Sequence, residues 1–183
     1  MREEREALKI LIAYSSKNGT VKGCVERLTD ALHNLQADVI DLDVTTPDLA
    51  QYDIVVLGGS VYFGRLRPSL RRFLQDNEEA LLQKSLGLFL CCGLAHEYEY
   101  YREKLFSQAL RDVAFSTLYF GGVLRVEKCS FIDRLLLHSM RSQILEEEID
   151  DGEYTPSLPG ILPESIDKMA TYIREEYVRS LSQ

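Results

Sequence analysis

Short apolar runs alternate along the chain with segments in which apolar residues recur every three or four positions. The runs cover residues 8–13, 37–44, 54–57, 86–92 and 115–123, and the second of them alternates between apolar and polar residues from Val39 onward. Their lengths and the Gly, Pro and polar residues that bound them are typical of β-strands. The second run carries Asp38, Asp41 and Asp43, which suits a strand at the edge of a sheet.

Helical spacing fills the segments between and after these runs. The first helix is predicted to bury one face made of Val21, Val25, Leu28 and Leu32. Further helical patterns cover residues 68–82, 101–110, 132–140 and 166–177. Between the last two, residues 146–163 are acidic and then rich in proline, as in a loop.

This alternation of strands and helices predicts an α/β fold. Because consecutive parallel strands must be joined by a crossover, we expect a doubly wound, five-stranded parallel sheet with helices on both faces. Ligands of such sheets bind beyond the carboxyl ends of the strands, where the strand order reverses. Three loops of unusual composition lie at such ends: 14–20, 58–65 and 92–100.

Composition and charge disfavour several classes of protein, among them nucleic-acid-binding and metal-binding proteins. The 183 residues, 45% of them hydrophobic, suit one domain spanning the whole chain. A net charge of -8 disfavours nucleic-acid binding. The four cysteines form no CxxC pair and no zinc-finger spacing with the histidines, so no metal site is predicted. A charged N-terminus and the lack of an apolar run of about 20 residues favour a cytoplasmic protein with peripheral membrane contact at most.

The loop at 14–20 has the composition of a phosphate-binding site. A strand, a tight turn at Gly19 and a helix start would direct free backbone N–H groups and the positive end of the helix dipole to one point. Polar side chains are available there at Ser15, Ser16, Asn18 and Thr20, with a positive charge at Lys17. Such residues also cap helices that bind nothing, and the local spacing does not decide between the two interpretations.

The other two loops are rich in aromatic residues. In loop 58–65, glycines flank Tyr62 and Phe63, which indicates a platform for a planar ring. Loop 92–101 adds His96 and several tyrosines as a second wall. Together with a phosphate cradle, the two walls predict a site for a phosphorylated planar heterocycle.

These loops carry a resemblance to a known family. The chain resembles flavodoxins, and more closely the flavodoxin-like menaquinone-dependent protoporphyrinogen oxidases. The likeness rests on residues 14–20, on residues 52–64 (YDIVVLGGSVYFG) and on residues 131–136 (FIDRLL). It runs from about Leu8 to the C-terminal helix, and it implies the strand order 2-1-3-4-5.

The resemblance also implies a non-covalently bound FMN. Its phosphate would be held by Ser16, Asn18, Gly19 and Thr20, and its ring would stack on Tyr62, with Phe63 as the rival. Gly64 would permit a backbone rearrangement on reduction. The full set of implied FMN contacts is Ser15, Ser16, Lys17, Asn18, Gly19, Thr20, Ser60, Val61, Tyr62, Phe63, Gly64, Cys92, Gly93, His96 and Tyr98. The chain departs from the family pattern at Val21, where flavodoxins usually have a threonine.

Two functions follow from the resemblance. One is an FMN-dependent oxidoreductase, similar to protoporphyrinogen oxidase, that passes electrons from a reduced small-molecule substrate to an acceptor such as quinone. The alternative is an electron carrier that docks redox proteins, which the acidic net charge favours. A flavin-free interaction module is a third hypothesis, supported by Val21 alone. Because the flavin performs the redox chemistry, no catalytic side chain is predicted.

Several residues near these loops have two interpretations. Cys91 and Cys92 are interpreted as core residues rather than as a redox pair. His96 either contacts the ring or is a plain loop histidine. The basic cluster Arg65, Arg67, Arg71 and Arg72 either receives an acidic partner or forms a solvated helix face.

Overall fold

A computed structural model of the chain describes residues 8–93, 95–122 and 160–182. The five strands are β1 (Ile10–Ser15), β2 (Ala37–Asp41), β3 (Ile54–Ser60), β4 (Ser85–Cys91) and β5 (Ala114–Tyr119). They form one sheet in the order β2-β1-β3-β4-β5, and every neighbouring pair is parallel. The predicted fold and strand order are therefore confirmed.

Helices cover both faces of the sheet. They are α1 (Thr20–Ala31), α2 (Pro68–Asp76), α3 (Glu78–Leu81), α4 (Tyr98–Leu105), α5 (Gln108–Val113) and α6 (Pro163–Leu181), with short 3₁₀ turns at Leu49–Gln51 and Ala95–Glu97. The helical pattern at 132–140 and the acidic stretch after it lie outside the described residues.

Two hydrophobic layers hold the helices to the sheet. Alternate strand residues such as Ile12 and Val56 face α1 and α6, and the intervening ones face α2 to α5. The four residues predicted for the buried face of α1, Val21, Val25, Leu28 and Leu32, are each at most 1% exposed. Val21 packs in the core beneath the helix start.

Some predicted boundaries are wrong by a few residues. β1 and β3 each run further, because Tyr14 and Ser15 pair with Gly58 and Gly59. A Cβ atom on Gly58 would lie 2.4 Å from the Phe89 ring, so glycine allows this close packing. β2 ends at Asp41 rather than at residue 44, because the Asp41 carbonyl accepts hydrogen bonds from the amides of residues 44 and 45 in a turn.

The helix predicted over 101–110 is divided into α4 and α5. The break falls at Phe106, whose backbone is extended, and at Ser107. The Ser107 hydroxyl then caps α5 by accepting a hydrogen bond from the Leu110 amide at 3.3 Å.

The position of the site follows from the strand order. The chain leaves β1 toward β2 on one side and returns through β3 on the other, so the order reverses between β1 and β3. Their carboxyl ends are in register at Ser15 and Gly59. The loops after β1 and β3 therefore meet at the edge where doubly wound sheets bind ligands.

Candidate cofactor site

The loop from Ser16 to Gly19 joins β1 to α1 and leaves the start of the helix open. Gly19 occupies the N-cap position with a left-handed φ of 80°, and within the described residues no side chain caps the helix. A Cβ atom placed on Gly19 would have no heavy atom within 4 Å. The first amides of α1 are thus available to an anion, as a phosphate cradle requires.

The hydroxyl of Ser15 has a different role from its neighbours. Ser15 is the last residue of β1 and is fully buried. Its Oγ donates to Asp43 Oδ2 at 3.0 Å, and Ser69 Oγ lies 3.0 Å from Ser15 Oγ. Asp43 also accepts from Ser69 at 2.5 Å and from Arg67 Nε at 2.9 Å. Ser15 therefore anchors the loop to the start of α2.

The aromatic residues lie in a tight turn after β3. Backbone hydrogen bonds join Tyr62 N to Arg65 O at 2.9 Å and Arg65 N to Tyr62 O at 3.2 Å. Phe63 has φ 47° and Gly64 has φ 69°, the signature of a type I′ turn. Glycine suits this conformation, but for phenylalanine it costs about 1 to 2 kcal/mol. The turn therefore stores strain in the loop predicted to bind the ring.

Two aromatic rings and a lysine ammonium group are in contact at this turn. Tyr62 and Phe63 pack edge to face with their ring centroids 4.5 Å apart. Lys17 Nζ, from the loop after β1, lies 3.7 Å from the centroid of the Tyr62 ring. This is the geometry of a cation–π contact. The two predicted subsites, for phosphate and for ring, thus touch each other.

The loop after β4 is the one predicted to form a second aromatic wall. Tyr98 begins α4, its hydroxyl donates to the Thr117 carbonyl at 2.9 Å, and its ring centroid lies 5.2 Å from that of Tyr119. Burial, with a smaller contribution from Glu99, raises the pKa of Tyr98 to about 12. The Tyr98 side chain is therefore packed against β5, while His96 is exposed on its 3₁₀ turn.

The start of the same loop is fixed by backbone contacts. Cys92 N donates to Gly121 O at 3.0 Å, and Tyr119 Oη donates to Cys92 O at 2.7 Å. Gly93 follows and is partly buried. These contacts tie the end of β4 to β5, so this loop has a rigid beginning.

The cysteines of the sheet are core residues. Cys91 and Cys92 are 2% and 4% exposed, which confirms the packing interpretation. Across the core, Cys24 Sγ of α1 lies 3.9 Å from Cys91 Sγ. Cys24 and Cys91 are both thiols rather than halves of a disulfide.

A groove of about 510 Å³ opens beside the aromatic turn, between α2 and the α4–α5 pair. Gly64 and Arg65 form its border with the turn, Arg71 and Lys104 contribute positive charge, and Glu78 and Glu103 contribute negative charge. None of the residues that line this groove comes from the loop after β1. The groove is therefore separate from the open start of α1 at the β1–β3 edge.

Comparison with known proteins identifies the family. A family model described as a flavodoxin domain matches residues 11–150 of the chain. The chain belongs to the flavodoxin domain family. Membership agrees with the strand order and with the position of the open helix start.

Solved flavodoxin structures share this fold at low sequence identity. Flavodoxin 2 from Bacillus cereus has a TM-score of 0.57 and 17% identity, covering 92% of this chain and 99% of its own. A short-chain flavodoxin associated with a non-canonical PDU bacterial microcompartment has a TM-score of 0.51 and 18% identity, covering 93% and 99%. A search of curated proteins finds no match.

A larger redox protein also contains the fold. The rubredoxin oxygen:oxidoreductase from Desulfovibrio gigas has a TM-score of 0.59 and 14% identity over 96% of this chain. The chain spans 37% of that protein's length. The likeness concerns the flavodoxin fold alone.

Two buried hydroxyls test whether the flavodoxin site suits FMN. Ser16 Oγ and Ser60 Oγ are buried, and neither has a hydrogen-bond partner among residues 8–93, 95–122 and 160–182. A buried hydroxyl without a partner costs about 1 to 3 kcal/mol. Ser16 belongs to the predicted phosphate loop, and Ser60 ends β3 just before the aromatic turn. Both positions suit a ligand with polar groups, so the residues present fit the FMN that the resemblance implies.

The sequence interpretation missed Asp43 and Ser69. Asp43 follows β2 and Ser69 lies in the first turn of α2, and both contact Ser15 beneath the phosphate loop. The position of Asp43 near Ser15 could have been predicted, because the strand order 2-1-3 brings the end of β2 beside the end of β1. Arg67, grouped in the sequence with a basic cluster, instead pairs with this carboxylate.

Within the described residues, no helix combines the length and apolar character needed to cross a bilayer.

Proposed function

We propose that this protein is an FMN-binding flavodoxin that transfers electrons between redox partners. The observation that carries the proposal is the open start of α1, where Gly19 has a left-handed backbone and the buried Ser16 hydroxyl has no partner in the described part of the chain. A phosphate group would accept hydrogen bonds from both features. The aromatic turn lies beside them, at the same edge of the sheet.

Each loop has a distinct task in this proposal. Ser16, Asn18, Gly19 and Thr20 would hold the phosphate. Tyr62 would stack on the ring, with Phe63 supporting it edge-on, and Ser60 would donate a hydrogen bond from the end of β3. When bound, FMN supplies the electron-transfer chemistry, and the chain supplies binding, orientation and exclusion of water.

The electron-carrier function is supported by family membership and by charge. A net charge of -8 would steer the protein toward basic surfaces of redox partners and raise the association rate at low salt. This function needs no substrate pocket beside the flavin. It is the function we favour.

A protoporphyrinogen oxidase-like activity is the second candidate. Its support is the resemblance of residues 131–136, which lie outside the described residues. In this case the electron donor would be a reduced small molecule and the acceptor a quinone. Anaerobic oxidation of protoporphyrinogen with a menaquinone analogue tests it, and turnover no greater than that of free FMN would eliminate it.

Reconstitution tests the proposal as a whole. Flavin-free protein mixed with FMN and passed through a desalting column should retain one flavin per chain and its yellow absorbance. Gly19→Val should abolish this, because a branched side chain cannot adopt the required φ and would crowd the phosphate. Colourless wild-type protein would refute FMN binding, and unchanged affinity of the variant would place the phosphate elsewhere.

A further inference from the structure

Lys17 connects the two halves of the candidate site. It belongs to the loop whose free amides suit a phosphate, yet its ammonium group rests 3.7 Å from the centroid of the Tyr62 ring. Tyr62 is the residue proposed to stack on the flavin ring. The Lys17 side chain therefore covers the face of the Tyr62 ring that lies on the side of this loop.

A flavin ring stacked on this face of Tyr62 would compete for it with the Lys17 ammonium group. A cation centred over an aromatic ring excludes a second planar ring from the same position. A phosphate in the loop would offer Lys17 a charge-assisted hydrogen bond, which is stronger than contact with a partly exposed ring. We propose that Lys17 is a specificity-determining residue that covers Tyr62 in the absence of a phosphate and exposes it when a phosphate binds.

This inference rests on the proposed function and adds a coupling between its two subsites. A phosphate bound at the loop favours ring binding, and by thermodynamic reciprocity a bound ring favours phosphate binding. The site would therefore select phosphorylated flavins over riboflavin by more than the direct phosphate contacts provide. Exposed cation–π contacts predict a coupling of about two- to fivefold.

Riboflavin and inorganic phosphate test the coupling separately. Riboflavin has the ring without the phosphate, so its dissociation constant reports on the ring subsite. For the wild type, inorganic phosphate should tighten riboflavin binding about two- to fivefold. Sodium chloride at the same ionic strength should not. Lys17→Met should bind riboflavin without phosphate as tightly as the wild type binds it with phosphate, and should show no further effect of phosphate.

A matched control is available on α1, the helix that follows the loop of Lys17. Lys22 is an exposed lysine of α1 that pairs with Glu26 at 3.9 Å. Lys22→Met should retain the wild-type response to phosphate. An equal response in Lys17→Met, or no response in the wild type, would overturn the coupling. FMN binding without coupling refutes this inference alone, whereas failure to bind any flavin refutes the proposed function as well.

Discussion

The Ser15 hydroxyl donates a 3.0 Å hydrogen bond to Asp43, which joins the end of β1 to the loop after β2. Ser69 and Arg67 donate to the same carboxylate. Asp43 therefore links the end of β1, the loop after β2 and the start of α2, next to the proposed phosphate loop. Charge-assisted hydrogen bonds of this kind are stronger than neutral ones, so this network helps to define the backbone of the loop.

Replacement of Asp43 by Asn should make stability less dependent on pH. Burial would raise the pKa of Asp43, but the hydrogen bonds from Ser69, Arg67 and Ser15 outweigh it and hold the pKa below its ordinary value. The carboxylate therefore stabilises the fold above pH about 3.9, the ordinary value, and this contribution is lost as pH falls through the lowered pKa. Urea unfolding at pH 7 should show a loss of about 1 kcal/mol for Asp43→Asn.

Urea unfolding at lower pH tests the direction of the pH dependence. As pH falls below the lowered pKa of Asp43, the difference between wild type and Asp43→Asn should shrink toward zero, because both side chains are then neutral. Asp30→Asn, on an exposed face of α1, serves as the control and should have little effect at either pH. A difference that grows on acidification would contradict the assignment.

Gly19→Ala and Gly23→Ala should have opposite effects on stability. Gly19 has φ 80°, so alanine there should destabilise the fold by about 1 to 2 kcal/mol and weaken FMN binding. Gly23 lies inside α1, and a Cβ atom added to it would meet no heavy atom within 4 Å, so alanine there should stabilise by about 0.5 to 1 kcal/mol. Denaturant unfolding and FMN titration measure both effects, and equal effects at the two glycines would argue against the left-handed cap.

Substitutions in the aromatic turn distinguish Tyr62 from Phe63 as the residue that stacks on the flavin. Phe63→Asn should raise stability by about 1 kcal/mol, since Asn-Gly is a favoured type I′ pair and the strain at φ 47° is relieved. If Tyr62 is the stacking residue, Phe63→Asn should bind FMN within about twofold of the wild type, while Tyr62→Ala should lose about fivefold. The reverse ranking would assign stacking to Phe63.

The orphaned hydroxyl of Ser16 should cost stability and support binding. Ser16→Ala should stabilise the flavin-free protein by about 1 kcal/mol, because it removes a buried polar group that has no partner in the described residues. It should also weaken FMN binding by about tenfold, the equivalent of about 1.4 kcal/mol. Thr29→Val removes a hydroxyl that already donates to Val25 O at 2.9 Å, and it should leave FMN affinity unchanged. Weaker FMN binding in both variants to the same extent would indicate a general effect on folding.

Much of this architecture could be predicted because it follows local rules. The apolar runs and the spacing of Val21, Val25 and Leu28 determine strands and helices through burial alone. Gly19 before a helix pattern indicated the open cap. These features depend on residues close together in the sequence.

The contacts that complete the site depend on residues far apart in the chain. The Lys17–Tyr62 and Ser15–Asp43 contacts arise only when the ends of β1, β2 and β3 are brought to one edge. The left-handed backbone at Phe63 runs against the preference of a bulky residue, so no propensity predicts it. The hydrogen bond from the Tyr98 hydroxyl to the Thr117 carbonyl likewise joins residues far apart in the sequence, and no local pattern indicates it.

The central claim is that FMN binds at the β1–β3 edge, and backbone amide NMR during an FMN titration tests it most directly. We expect saturation at one equivalent, with the largest shifts at residues 16–21 and 60–65. Shifts concentrated instead at Arg71, Gln75 and Lys104 would place the flavin in the groove between α2 and α4 and contradict the claim, as would a spectrum that FMN leaves unchanged.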